Sequence, residues 1–144
     1  MSGREELLLP GTTAVAIDGR ALLIEGEPGS GKTSLALALI DRGATLIGDD
    51  GVRVVRSEDV LLAEPPPNIA GLLEVRNVGL ITLPVTTAPV ALILRLDPRA
   101  PRLPDPVTHR DLLDTAIPLL PFRAGDAVQA LRAEHALRLH GLRR

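Results

Sequence analysis

The sequence predicts an α/β domain with a mixed sheet and flanking helices, and three observations predict it. A β-prone apolar run, Ala21-Leu22-Leu23-Ile24, runs straight into a glycine-rich loop, and the chain leaves that loop in a helical pattern. A second apolar run, Ala44-Thr45-Leu46-Ile47, follows the helix after a glycine. Further extended segments separated by turn residues then add antiparallel pairing to this strand, helix, strand opening.

Taken in order, residues 12–16 are β-prone, and Asp18-Gly19 has the composition of a tight hairpin turn. After Thr33, the residues Leu35, Leu39 and Ile40 recur at helical spacing, and Gly43 stands where a helix C-terminal glycine belongs. Residues 44–47 end at Asp49-Asp50, and residues 52–55 either extend that strand or start a hairpin. Glu64-Pro65-Pro66-Pro67-Asn68 is a stiff loop. Residues 72–76 and 80–83 flank Asn77-Val78-Gly79, two extended segments around a bend. Residues 90–96 are a strongly apolar strand closed by Asp97-Pro98, and prolines make 98–106 a traversing loop. A last helix is expected from about residue 126 to 140. Asp126 would be its N-cap, Val128, Leu131 and Leu137 would share one side, and Gly141 would end it.

With 144 residues, the chain is expected to form one domain over residues 1–144. Phe122 is its only aromatic residue, so the core must be built from Leu, Val, Ile and Ala. That argues against stacking platforms for single-stranded nucleic acid. A formal net charge of -2 gives no general attraction to phosphate backbones or anionic lipid, so neither nucleic acid nor membrane is expected as a partner. The absence of cysteine excludes disulfides and thiolate metal sites. The N-terminus carries acids before three leucines, unlike a signal peptide, and no apolar run reaches the ~18 residues of a membrane span. A cytoplasmic location is expected.

Chemistry concentrates in Gly26-Glu27-Pro28-Gly29-Ser30-Gly31-Lys32-Thr33, which matches the P-loop pattern with strand before and helix after. Glycines let backbone N–H groups approach phosphate oxygens, and the helix adds its positive N-terminus. Lys32 would reach the β- and γ-phosphates, and the Thr33 hydroxyl would bind Mg²⁺. The 16 basic residues comprise 15 arginines and this one lysine, as suits a place where a compact ammonium fits and a planar guanidinium does not. Asp97, at the end of an apolar strand, reads as the turn residue before Pro98. Asp49-Asp50 follows the next strand, and the residues alone leave it open between a turn and a site. In the second case one carboxylate would turn to the phosphates while its neighbour anchors a loop. His109, His135 and His140 form no shared metal face, since the last two lie five residues apart on a helix.

The P-loop, helix, Arg42-Gly43, apolar strand and Asp49-Asp50, at this spacing, resemble the HPr kinase/phosphorylase family. Residues 73–81, including Glu74, Val75, Arg76, Asn77 and Gly79, resemble its second signature, and Arg102-Leu103 stands where the family has an Arg-Leu. The resemblance covers residues 12–103. It implies the P-loop nucleotide-binding core shared with phosphoenolpyruvate carboxykinase. It also implies an ATP- and Mg²⁺-dependent protein serine kinase acting on HPr or an HPr-like phosphocarrier, with a reverse phosphorolysis. By position, Asp50 would accept the serine proton, and Lys32 and Arg102 would stabilise the transferring charge. Thr33, Glu74 and Asp49 would hold the metal.

The family has a histidine at the position of Gly11 and a glycine at that of Asn77. By this resemblance the chain is expected to lack the family's separate N-terminal domain and to match its short, catalytic-domain-only versions. Residues 121–125 are at most a remnant of the phosphorolysis loop, so phosphorolysis is expected to be weak or lost. Other readings are a catalytically impaired nucleotide-binding regulator and a small-molecule P-loop kinase. Homo-oligomers are compatible with the family.

Overall fold

The computed structural model describes residues 5–68 and 70–143. Its elements are, in chain order, β1 (Glu5–Pro10), β2 (Thr13–Ile17), β3 (Arg20–Glu25), α1 (Lys32–Asp41), β4 (Thr45–Gly48), β5 (Gly51–Ser57), β6 (Val60–Glu64), β7 (Leu72–Val75), β8 (Gly79–Thr82), β9 (Ala88–Leu96), β10 (Thr108–Leu112), β11 (Thr115–Phe122) and α2 (Gln129–His140). A nine-stranded mixed sheet runs β1-β5-β6-β9-β3-β2-β4, while β11 pairs with β9 and β10; β7 and β8 form a separate hairpin. This is the expected α/β class with flanking helices.

The centre is β9. It runs parallel to β3 on one side and, through its C-terminal half, parallel to β11. Strands buried on both faces read as continuous apolar runs, which is why residues 21–24 and 90–96 carry almost no polar side chains. Alternation then divides them between two cores. Leu22, Ile24, Leu92 and Leu94 pack towards α1 and α2, with Phe122 among them, while Ala21, Leu23, Val90 and Ile93 meet Val54, Leu61 and Ile117.

Helix α1 buries Leu35, Ala36 and Leu39 completely. Truncating Leu39 to alanine would cost about 2–5 kcal/mol, as buried leucines generally do. Its C-terminus closes on Gly43, at φ 112, whose N–H reaches the Ile40 carbonyl at 3.0 Å. Beside it, Arg42 donates to Glu134 of α2 at 2.9 Å, and that hydrogen bond is the main cause of its raised pKa.

Two sequence expectations change. Helix α2 starts at Gln129 behind Val128, and Asp126 instead turns the chain, accepting the Val128 N–H at 3.0 Å. Its buried face is Ala130, Ala133 and Leu137, with Val128 and Leu131 exposed, because small alanines allow close packing against the sheet and α1. Of the two alternatives for residues 52–55, the hairpin holds: they belong to β5, which turns back into β6 and also pairs with β1 rather than continuing β4. Strands β1, β6, β10 and β11 were not assigned from the sequence. Among the described residues no helix is long and apolar enough to cross a membrane.

Candidate functional site

Residues 26–31 join β3 to α1. The strand end is fixed by Glu25, whose carboxylate meets Arg95 of β9 at 3.2 Å and also Arg110 of β10. Within the loop the Ser30 N–H donates to the Glu27 carbonyl at 3.0 Å. Gly29 and Gly31 sit at φ 79 and 105, where a side chain would strain the backbone. At Gly26 a Cβ would come within 2.7 Å of Ser30 Oγ, so the glycine leaves the room that hydroxyl occupies. Ser30 Oγ is buried and has no hydrogen-bond partner among the described residues.

Helix α1 begins on Gly31 with no side-chain cap and no acid in its first turn. Its first N–H groups lack intrahelical partners, and no acidic residue of its own first turn offsets the positive end of its dipole. An anion is favoured there. Lys32 folds back over the loop, donating to the Gly26 carbonyl at 2.7 Å and the Glu27 carbonyl at 3.4 Å.

The carboxylates come from the turn between β4 and β5. Gly48 begins it, and a Cβ there would run into the Gly51 carbonyl and lie 3.0 Å from Pro66. Asp49 Oδ1 accepts hydrogen bonds from Thr33 Oγ1 and Thr13 Oγ1, each at 2.9 Å. Asp50 follows at φ 60 with its side chain exposed. Its carbonyl accepts the Gly11 N–H at 3.2 Å.

The third wall is the β7–β8 hairpin. Leu73 anchors it in the core, and Gly71, at φ 83, lets its base close on the Leu83 carbonyl. Glu74 is exposed on β7, and Asn77 takes φ 67 at the tip. Asparagine tolerates this left-handed conformation better than other side chains, so it can serve where a glycine would otherwise be required.

Together these walls enclose a cavity of about 580 Å³. It is lined by Pro28, Gly29, Gly31, Lys32, Thr33, Asp49, Asp50 and Glu74, and also by Thr13 and Arg76, which had been assigned no role from the sequence. Gly26, Glu27 and Ser30 shape the loop without lining the cavity. Arg102 is not brought to it. It lines a second cavity of about 570 Å³ between the proline loop and α2, with Phe122, Arg123, Arg132 and His135. Asp97 accepts the Arg99 N–H at 2.8 Å, as a turn residue does.

The first cavity fits a magnesium-bound polyphosphate. Thr33, Asp49 and Glu74 offer hard oxygen donors, as Mg²⁺ requires. Among the described residues no cluster of three or more His, Cys, Asp or Glu could hold a metal by itself. The uncapped helix and Lys32 supply the complementary positive charge.

Comparison with known proteins gives a consistent set of relatives. The family model for the HPr Serine kinase C-terminal domain matches residues 9–86. An HPr kinase/phosphorylase of Clostridium acetobutylicum is 46% identical over 70 residues, covering 49% of this chain and 23% of that protein. One from Clostridium tetani is 40% identical over 88 residues, covering 58% and 29%. The chain thus spans less than a third of the length of these curated relatives. A solved structure of the Hpr(Ser) kinase/phosphatase from Coxiella burnetii matches with a TM-score of 0.78 and 27% identity, covering 93% of this chain and 95% of that one.

Proposed function

The chain belongs to the HPr serine kinase C-terminal domain family, and from that premise we propose that it is an ATP- and Mg²⁺-dependent protein serine kinase acting on an HPr-like phosphocarrier. The observation that carries this reading is the convergence of Lys32, Thr33, Asp49, Asp50 and Glu74, from three separate segments, on one cavity. In this reading residues 1–144 form a single catalytic domain.

Thr33, Asp49 and Glu74 would hold a magnesium ion, which would supply charge neutralisation to the transferring phosphoryl group. The chain's own residues do the rest. Lys32 exchanges the Gly26 and Glu27 carbonyls for phosphate oxygens. Thr33 keeps donating its proton to Asp49 while a lone pair on its oxygen remains for the metal. Asp49 and Glu74 add carboxylate oxygens. Asp50, exposed at the cavity and tied to Asp49 through the backbone, orients the serine hydroxyl and accepts its proton. Arg102, in its separate cavity, has no part in this site.

One observation favours a second reading, a nucleotide-binding regulator without turnover. Gly11, where the family has a histidine, lies directly against the Asp50 backbone. The proposed base therefore lacks that imidazole neighbour, which also agrees with a weak or lost phosphorolysis. Incubation with γ-labelled ATP, Mg²⁺ and the phosphocarrier separates the two. Label on a phosphocarrier serine supports the kinase, whereas ATP binding without transfer to any phosphocarrier leaves the regulator.

A further inference from the structure

Thr13 is a polar residue in a strand that is otherwise Ala, Val and Ile, and its side chain is fully buried. The β2–β4 ladder stops at the pair Ala14 and Gly48 and the β1–β5 ladder begins at Pro10 and Gly51, so Asp49 and Asp50 between them have no ladder partner. Thr13 takes over at that point. Its Oγ1 donates to Asp49 Oδ1 at 2.9 Å and accepts the Asp50 N–H at 3.4 Å. The same carboxylate oxygen accepts from Thr33 Oγ1 at 2.9 Å. One buried hydroxyl therefore touches the side chain of Asp49 and the backbone of Asp50, and through Asp49 it reaches Thr33.

A buried hydroxyl is tolerated only when paired, and valine has nearly the same shape with a better fit to an apolar strand. A hydroxyl here thus answers to the polar groups it joins. We propose that Thr13 is a positioning residue of the phosphotransfer site. It holds the Asp49 carboxylate against Thr33 on the metal side and pins Asp50 in its left-handed turn, so the metal oxygens and the base keep a fixed separation. This rests on the reading of the cavity as a magnesium–ATP site.

The test uses the full chain as wild type, Thr13→Val and Thr13→Ser. Affinity for a fluorescent ATP analogue is measured with and without Mg²⁺, followed by kcat and KM for transfer to the phosphocarrier. Thr13→Val should bind the analogue without Mg²⁺ within about twofold of wild type, yet need about tenfold more Mg²⁺ and turn over about tenfold more slowly. Thr13→Ser should recover most of both losses. If Thr13→Val does not fold, Thr13→Ala is read by the same ratio of affinities with and without Mg²⁺. A wild-type Mg²⁺ response in the hydroxyl-free variant overturns the proposal. So does an equal loss of affinity with and without Mg²⁺, which would mark a purely structural hydroxyl. A wild-type protein that binds no nucleotide would instead overturn the magnesium–ATP reading itself, and the role of Thr13 with it.

Discussion

Two cavities of nearly equal volume, about 580 and about 570 Å³, lie in this molecule and are built in different ways. The first is framed by backbone that has no freedom: Gly29 and Gly31 at positive φ, Gly48 without space for a Cβ, and Asp49 gripped by two hydroxyls. The second is lined by exposed side chains, Arg102 and Arg123 among them, over the Phe122 ring. There Arg132 stacks 4.4 Å from the Phe122 centroid and is already bonded to the Arg123 carbonyl and Asp126. A carboxylate held by a buried hydroxyl, as Asp49 is by Thr13, keeps a position, and phosphoryl transfer depends on position.

The largest effect should come from the lysine of the first cavity. Lys32→Ala is expected to slow transfer by about a thousandfold, the scale of losing one preorganised charge in a closed site. Single-turnover kinetics with labelled ATP would show it, and a loss under tenfold would place the charge elsewhere. Gly48→Ala tests the frame rather than the chemistry. Its Cβ meets backbone, which cannot swing away, so unfolding in denaturant should show a loss of about 2–3 kcal/mol. Glu74→Gln keeps shape and removes a charge. An increase of about tenfold in the Mg²⁺ needed for half-maximal transfer is expected, because outer parts of a metal site contribute less than its core. Arg102→Ala should be the mildest, with transfer within about twofold of wild type, as is usual for an exposed charge away from the reaction. A large loss there would erase the distinction between the cavities.

The legibility of the sequence followed the same division. The turn at Asp18-Gly19 was readable because its residues match the positive φ values, 50 and 78, that a tight hairpin needs. The turn between β10 and β11 has the same geometry at Leu113 and Asp114, φ 47 and 63, but a leucine gives no such signal. Strand β11 also carries Pro118 and Pro121, which withhold ladder donors and weaken its signal as a strand. Strand β1 lacks alternation. Its register against β5 sets Glu5 opposite Arg56 and lets Glu6 reach Arg53 diagonally at 3.9 Å, pairings that only the distant partner reveals. In the site, the glycine loop and the aspartate pair were visible because their spacing is local. Thr13 was not, since it meets Asp49 across 36 residues of chain. Arg102 was assigned by its place along the chain, whereas the proline loop carries it to the cavity lined by Phe122, Arg123 and α2.

Wild-type protein and Asp50→Asn, each saturated with magnesium and γ-labelled ATP and mixed with the phosphocarrier, measure most directly whether the first cavity transfers phosphoryl groups. The wild type should label a phosphocarrier serine. The variant should do so about 10²–10⁴-fold more slowly, with nucleotide affinity unchanged within about twofold. Equal rates in the two proteins, or nucleotide binding by the wild type without any label on serine, would contradict it.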